Sequence, residues 1–169
     1  LLRSQQLTAE DFNSNLKCVG RAGAGTNNIP IEEATKKGVV VFNTPGANAN
    51  AVKELVVCGM LLSSRGILQG NSFAMTLKGL DTSQLNKSME SEKKNFKGSE
   101  LKGKTLGIVG LGAIGSLLAQ TASIMGMKII GFDPYISVDA AWRLPKEVEK
   151  ADTLEALLSS SDYISLHVP

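Results

Sequence analysis

Three glycines in the second half of the chain have a spacing that suits a phosphate-rich ligand. Gly110, Gly112 and Gly115 form the pattern G-x-G-x-x-G, directly after the apolar run 105–109 and at the start of a helical pattern. In such a pattern the first glycine permits a tight turn, the second lets the backbone approach a pyrophosphate, and the third lets helix and strand pack closely. The helix N-terminus offers unpaired N–H groups and a partial positive charge to the phosphates. The pattern therefore predicts a dinucleotide-binding turn.

An acidic residue at the end of the next predicted strand completes this pattern. Asp133 follows the apolar run 127–132 and lies 18 residues after Gly115. A carboxylate in this place accepts hydrogen bonds from both hydroxyls of a ribose, and it repels a 2′-phosphate, which favours NAD over NADP. A glycine-rich turn that binds no ligand is the alternative. The strand, the helix and the acid together favour the dinucleotide site.

Predicted strands and helices alternate through most of the chain. The strands are expected at 16–20, 39–42, 105–109, 127–132 and 163–168, and the helices at 30–37, 48–65, 113–125 and 153–158, the last with Asp152 as its N-cap. A continuously apolar strand such as 39–42 is typical of a parallel strand covered on both faces. The alternation predicts an α/β fold with a doubly wound parallel sheet of the Rossmann type.

Residues 66–100 differ in composition from the sequence on either side. They contain few large apolar side chains, and Leu80, Leu85 and Met89 define only one weakly amphipathic helix. The helix at 48–65 is apolar on most sides, so we expect it to be buried between layers or domains. We therefore predict part of one domain at 1–47, an interdomain helix and crossover at 48–100, and the first part of a second domain at 101–169.

The composition excludes several classes of protein. Of the 169 residues, 43% are hydrophobic and 20% are charged, which are ordinary values for a globular protein. A net charge of +2, without a basic stripe among aromatic residues, does not suggest nucleic-acid binding. The longest apolar run, 55–62, is too short to span a membrane. We read Cys18 and Cys58 as reduced core thiols of a cytosolic protein, and we expect no metal site because His and Cys are few.

Six segments of the chain resemble motifs of the D-2-hydroxyacid dehydrogenase family. They are residues 20–29, 43–46, 51–55, 98–108, 132–135 and 162–169. The first four resemble, in order, the family's R-x-G-x-G-x-x-N-[IV] turn, its N-T-P motif, its x-V-x-E-L helix and its G-x-E-L-x-G-K-T-L-G-I approach to the glycine pattern. The F-D-P-Y and H-V-P segments complete the match, which covers the chain apart from the polar crossover.

The resemblance implies a two-domain NAD enzyme whose Rossmann domain is inserted into a flavodoxin-like substrate domain, of which 1–47 is a part. It implies oxidation of a small anionic 2-hydroxy acid, with 3-phosphoglycerate, on the way to serine, as the expected substrate. Glyoxylate, hydroxypyruvate or another 2-hydroxy acid is the alternative. An NAD-binding regulator similar to the family's transcriptional co-repressors is a third possibility. The resemblance also implies a cytoplasmic homo-oligomer, either a dimer or a tetramer.

Roles in a substrate site follow from the same resemblance. Arg3 and Ser4 match an R-S pair whose arginine reaches the anionic end of the substrate. Ala24 and Gly25 match backbone N–H groups that hold the substrate carboxylate, and Asn43 matches an asparagine beside that pocket. For Arg21, which follows a predicted strand, pairing within the fold and contact with the substrate are both open.

Further residues are implied for the cofactor site, and none for proton transfer. Ala113 and Ile114 lie in the phosphate-binding turn, Ala113 replacing an arginine of some relatives, and His167, Val168 and Pro169 line the cofactor cleft. The family's acid–base His and Glu and its catalytic Arg are expected beyond Pro169. The chain is thus expected to be a fragment from the middle of the enzyme. Its only histidine, His167, is not expected to transfer the proton.

Overall fold

Strands and helices alternate along residues 1–168, which are the residues that the computed structural model describes. The strands are β1 (Cys18–Gly20), β2 (Val40–Phe42), β3 (Thr105–Val109), β4 (Lys128–Phe132), β5 (Glu149–Lys150) and β6 (Tyr163–Leu166). The α-helices are α1 (Ile31–Lys36), α2 (Ala49–Ser64), α3 (Ile67–Thr76), α4 (Thr82–Glu92), α5 (Ala113–Ile124), α6 (Val138–Ala141) and α7 (Leu154–Ser160). Each pairing between these strands is parallel, which confirms the predicted α/β class. Two units make up the chain, Leu1–Ala51 and the residues from Val52 onward.

The first unit contains a two-stranded parallel sheet. β1 pairs with β2 from Cys18 opposite Val40 to Gly20 opposite Phe42, and α1 connects the two strands. Its buried core consists of Phe12, Val19, Ile29, Ala34 and Val39. The prediction that β2 is covered on both faces is wrong for this chain, because Val40 and Phe42 are 53% and 59% exposed. Successive side chains of a strand point to opposite faces, and only the face with Val41 packs on the core.

The second unit is built on a four-stranded parallel sheet in the order β5-β4-β3-β6. β3 lies between β4 and β6, so the chain moves from one side of β3 to the other after β5. In open α/β sheets, ligands bind outside the carboxyl ends of the strands at such a reversal. Leu106, Ile108, Leu118 and Ile129 are almost completely buried in the core that attaches α5 to this sheet.

The polar segment 66–100 contains two helices where the sequence predicts one. Neither α3 nor α4 has a buried residue, and the stacked rings of Phe73 and Phe96, with centroids 5.3 Å apart, connect α3 to the 3-10 helix Lys93–Phe96. The two ends of the segment lie next to each other, because the N–H of Ser99 donates a hydrogen bond to the carbonyl of Ser64 at 2.8 Å. Gly98 has φ +60° there, and a Cβ on it would overlap the Ser64 carbonyl.

Three smaller predictions differ from the structure. The side chain that caps α7 belongs to Thr153 and not to Asp152, since the Thr153 hydroxyl accepts a hydrogen bond from the N–H of Ala156 at 3.1 Å. Cys18 and Cys58 are exposed, so they are not core thiols. The expectation that α2 is buried between layers or domains does not hold along its whole surface, because Leu55 is 73% exposed. The predicted domain limits at 47 and 100 remain predictions.

Candidate functional site

The turn between β3 and α5 contains three glycines, and at two of them there is no room for a side chain. Gly110 has φ +91°, and a Cβ on it would lie 2.7 Å from the carbonyl oxygen of His167. A Cβ on Gly115 would overlap the carbonyl oxygen of Gly110. By contrast, no atom lies within 4 Å of the position that a Cβ on Gly112 would take. The backbone at Gly112 is therefore open on its outer side, as the approach of a pyrophosphate requires.

Helix α5 begins without a side-chain cap. Gly112 is its N-cap residue, and the first backbone hydrogen bond into the helix is donated by the N–H of Ser116 to the Gly112 carbonyl at 3.0 Å. Within residues 1–168, the N–H groups of Gly112, Ala113 and Ile114 have no hydrogen-bond partner. Unpaired N–H groups at the positive end of a helix dipole bind anions, so this terminus fits the phosphates of NAD.

Asp133 lies beside this turn at the carboxyl end of β4. Its Oδ2 accepts a hydrogen bond from the N–H of Leu111 at 2.9 Å, and its Oδ1 accepts one from the N–H of Tyr135 at 3.0 Å. A carboxylate has about four acceptor sites, so lone pairs remain for ribose hydroxyls. The structure therefore brings together the glycine turn and the acid that the sequence predicts, and the residues present fit NAD.

His167 and Val168 follow β6 along the other side of the glycine turn. The N–H of His167 donates to the carbonyl of Val109 at 2.8 Å, and the Nε2 atom of its ring lies 2.9 Å from the Ser165 hydroxyl. Burial lowers the pKa of His167 from its ordinary value, which favours the neutral ring. A Cβ on Gly110 would lie 2.9 Å from a methyl of Val168. The third residue predicted here, Pro169, lies outside the described residues, and cofactor contact by all three remains a prediction.

In the first unit, the side chain of Arg21 covers a second glycine-rich turn. A Cβ on Gly23 would overlap the guanidinium, and one on Gly25 would lie 3.9 Å from its Nη1 atom. The Nε atom of Arg21 is buried and has no hydrogen-bond partner. Within the first unit, residues 1–51, no carboxylate forms an ion pair with Arg21. Pairing of Arg21 with an acid of its own unit is therefore not observed, and its contact with the substrate remains a prediction.

The loop after β2 supports the same turn. The Thr44 hydroxyl accepts a hydrogen bond from the N–H of Gly23 at 2.8 Å, and the Asn43 amide donates to the carbonyl of Ala24 at 2.8 Å. The next two N–H groups, those of Ala24 and Gly25, have no partner in the described part of the chain. Such adjacent, open N–H groups are suited to an anion. Their assignment to the substrate carboxylate remains a prediction.

Arg3 and Ser4 lie on an exposed segment next to this turn. The residue before them, Leu2, accepts a hydrogen bond from the N–H of Ala22 at 2.8 Å. The carbonyl of Arg3 accepts a hydrogen bond from the side-chain amide of Asn28 at 3.2 Å. Sequence reasoning assigned no role to Asn28, which is only 6% exposed. The available signal was its place as the asparagine of the R-x-G-x-G-x-x-N-[IV] motif, directly before the apolar Ile29.

Two other kinds of feature are absent from residues 1–168. No group of three or more His, Cys, Asp or Glu side chains is placed to hold a metal ion there. None of the helices in that range combines the length and the apolar character that a membrane crossing needs.

Comparisons with known proteins agree with this geometry. Residues 71–169 match the family model described as "D-isomer specific 2-hydroxyacid dehydrogenase, NAD binding domain". The chain is 43% identical over 154 residues to D-3-phosphoglycerate dehydrogenase of Methanocaldococcus jannaschii, covering 91% of this chain and 27% of that protein. It is 44% identical over 159 residues to hydroxypyruvate reductase of Thermotoga maritima, covering 94% of this chain and 46% of that protein.

A solved structure with bound cofactor is also similar. The NAD⁺-bound 3-phosphoglycerate dehydrogenase of Entamoeba histolytica matches with a TM-score of 0.65 and 32% identity, covering 99% of this chain and 45% of that one. The chain thus spans less than half the length of each of these relatives. With the family model covering more than half of its residues, and with a glycine turn, uncapped helix and acid that fit NAD, the chain belongs to the D-isomer-specific 2-hydroxyacid dehydrogenases.

Proposed function

We propose that the full-length protein oxidises D-3-phosphoglycerate to 3-phosphohydroxypyruvate with NAD, on the way to serine. The observation that carries the choice of substrate is Arg21, whose guanidinium covers the glycine turn and has no acidic partner within the first unit, residues 1–51. This substrate carries a carboxylate and a phosphate, so it needs more cationic partners than an unphosphorylated acid does. Arg3, on the adjoining exposed segment, supplies a second positive charge. The relative from M. jannaschii carries the same activity in its name.

In this proposal the described residues bind and orient, and they do not transfer the proton. The N–H groups of Ala24 and Gly25 hold the carboxylate, while Arg3 and Arg21 hold the phosphate. The N-terminus of α5 holds the pyrophosphate, and Asp133 holds the adenosine ribose. Bound NAD supplies the acceptor for the hydride that leaves C2 of the substrate. The proton of the C2 hydroxyl goes to a base that these residues do not supply.

Substrate preference in the reverse direction tests this proposal. NADH oxidation by the full-length protein is followed with 3-phosphohydroxypyruvate and, in parallel, with glyoxylate. We expect a kcat/KM at least about 100-fold higher for the phosphorylated acid, because a charge-assisted contact contributes about 1.5–3 kcal/mol. Equal values, or a preference for glyoxylate, would contradict the proposal.

A matched pair of variants then tests the role of Arg21. Arg21→Met keeps much of the aliphatic stem and removes the charge, so the preference for the phosphorylated acid should fall by about tenfold. Arg143→Met makes the same change at an exposed arginine outside both candidate sites and should leave the preference unchanged. An unchanged preference in Arg21→Met would mean that Arg21 does not select the substrate.

A second candidate function is reduction of hydroxypyruvate or another small, unphosphorylated acid. The observation that favours it is the match to the T. maritima protein, which is named as a hydroxypyruvate reductase. The open N–H groups of Ala24 and Gly25 suit any 2-hydroxy or 2-oxo acid, so the turn alone does not select between the two classes. The same assay, with hydroxypyruvate added, separates the candidates.

We further propose that the full-length protein is a cytoplasmic homo-oligomer, either a dimer or a tetramer. α3, α4 and the turn between them carry apolar side chains that are between 37% and 60% exposed. These are Ile67, Leu68, Met75, Leu80, Leu85 and Met89. Apolar surface of this kind supports association between subunits. Light scattering after size-exclusion chromatography of the full-length protein measures the oligomeric state, and a monomer at micromolar concentration would contradict this part.

A further inference from the structure

Asn28 is a buried amide that holds a distant segment of the chain. Its side-chain nitrogen donates to the carbonyl of Gln5 at 2.7 Å and to the carbonyl of Arg3 at 3.2 Å. Its own backbone carbonyl accepts a hydrogen bond from the N–H of Leu7 at 3.0 Å. One residue therefore forms three hydrogen bonds to the segment that carries Arg3 and Ser4.

The orientation of this amide is determined by its partners. Both N–H donors of Asn28 face carbonyl oxygens, so exchanging its nitrogen and oxygen would place an acceptor against two acceptors. The Oδ1 atom is buried and has no partner. A buried, unsatisfied acceptor costs free energy, and an aliphatic side chain of similar size would avoid that cost. If the position served only to fill the core, leucine would serve better, so the two donors are the feature that distinguishes asparagine here.

Within the first unit, residues 3–6 have no hydrogen bonds apart from those of the Asn28 side chain. Residues 3–6 are all exposed, and they lie between Leu2, which pairs with the backbone beside β1, and Leu7. Among residues 1–168, the only hydrogen bonds made by residues 3–6 are the two from the Asn28 side chain. The Arg3 backbone is therefore held next to the glycine turn from two sides, by the bridge at Leu2 before it and by this amide after it.

We propose that Asn28 is a positioning residue of the substrate site, which holds Arg3 at the distance from the glycine turn that binding of an anionic acid requires. The proposal rests on the proposed function of Arg3 as a partner of the substrate anion. Asn28 itself, which is buried, does not contact the substrate. Its loss should leave the bridge at Leu2 intact but release the carbonyl of Arg3, so that the orientation of the Arg3 side chain is no longer pre-organised.

A double-mutant cycle on the full-length protein tests the proposal. Asn28→Leu keeps the volume and removes both donors, and Arg3→Met removes the charge that Asn28 is proposed to place. We expect each single variant to raise the KM for the 2-oxo acid by about fivefold or more, with kcat and NADH affinity within about twofold of wild type. We expect the double variant to have a KM within about twofold of that of Arg3→Met alone, because Asn28 acts through Arg3.

The same double-mutant cycle also defines the results that would contradict the role proposed for Asn28. If Asn28→Leu raises KM by the same factor with and without Arg3, or if kcat and NADH affinity fall with it, Asn28 supports the fold in general and the proposal is wrong. The proposal is equally overturned if Arg3→Met leaves KM unchanged. If Asn28→Leu does not fold, Asn28→Ser replaces it in the cycle, because the serine hydroxyl is too short to reach both carbonyls. Asn71→Leu, at an exposed asparagine of α3, is the matched control and should leave KM unchanged.

Failure of this proposal can be told apart from failure of the proposed function. The cycle is run with whichever acid, 3-phosphohydroxypyruvate, hydroxypyruvate or glyoxylate, the wild-type protein reduces with the highest kcat/KM. A wild-type preference for glyoxylate would contradict the proposed substrate while the coupling between Asn28 and Arg3 is still measured. A preference for the phosphorylated acid without coupling would contradict only the role of Asn28.

Discussion

The carboxylate of Asp133 accepts a hydrogen bond from the backbone N–H of Leu111 at 2.9 Å, although 22 residues separate them in the chain. Leu111 lies between the first two glycines of the G-x-G-x-x-G turn. The carboxylate is therefore both a candidate partner of the ribose and a support for the turn that faces the pyrophosphate. Two parts of one nucleotide would be held by two loops that are already joined to each other before the nucleotide binds.

Substitution of Asp133 should weaken NADH binding and reduce the selection against NADPH. Asp133→Ala removes a charged acceptor from the ribose and leaves the N–H of Leu111 without its partner. We expect the affinity for NADH to fall by about tenfold or more, with a smaller change for NADPH, because a charged hydrogen bond contributes about 1.5–3 kcal/mol. Fluorescence titration with both nucleotides measures the ratio. Asp152→Ala, at an exposed carboxylate, is the control, and an unchanged ratio in Asp133→Ala would refute the ribose role.

The glycines of the turn should respond differently to the same added methyl group. Gly115→Ala places a Cβ on the carbonyl of Gly110, so we expect a loss of stability of about 2 kcal/mol or more. Gly112→Ala meets no atom within 4 Å and should cost about 1 kcal/mol or less, yet its methyl occupies the space through which the pyrophosphate approaches. Urea denaturation and NADH titration separate the two effects. Full NADH affinity in a stable Gly112→Ala protein would argue against the assigned site.

The stability of the chain should fall as the pH decreases through the range in which His167 titrates. Burial lowers the pKa of His167 in the folded state below the ordinary value of 6.5, so the unfolded chain binds more protons in this window. The contribution to stability is therefore present above about pH 6.5 and is lost between that pH and the lower pKa of the folded state. Thermal denaturation midpoints are compared across this range for the wild type and for His167→Gln. Because the chain has one histidine, the variant should have the flatter profile, and equal slopes would contradict this assignment.

The 169-residue chain should bind NADH without oxidising or reducing a 2-hydroxy or 2-oxo acid. It carries the glycine turn and Asp133, whereas none of its described residues is proposed to transfer the proton. Binding is measured by titration, and turnover is measured with 3-phosphohydroxypyruvate and glyoxylate in separate assays. Dehydrogenase activity that disappears in His167→Gln would show that proton transfer lies within this chain after all.

The parts of the site that the sequence predicts are those whose geometry is local. Gly110, Gly112 and Gly115 lie within six residues, and the conformation of one turn determines what each of them does. Asn28 could not be found in this way, because its partners Arg3 and Gln5 are 25 and 23 residues away. Nothing in the residues around Asn28 records which backbone carbonyls fold against it.

The same reasoning explains which elements of the fold were missed. β5 consists of Glu149 and Lys150, two charged residues on an edge strand, so no apolar run marks it, and its pairing with Ile130 and Gly131 alone defines it. α3 contains Gly70 and has no buried residue, so it lacks the apolar stripe by which a helix is recognised. The cap of α7 was assigned one residue early because Asp152 and Thr153 are both suitable capping residues.

The contact between Ser64 and Ser99 has a consequence for protein engineering. Because the two ends of the α3–α4 segment meet at Gly66 and Gly98, the distance that a replacement linker has to span is short. A short glycine-rich linker in place of residues 67–97 would close a smaller loop, and the entropic cost of closing it would differ only modestly from that of the native segment. For the same reason, a reporter domain whose own termini lie close together could be inserted at Gly79, in the exposed turn between the helices, without pulling on the cofactor-binding sheet.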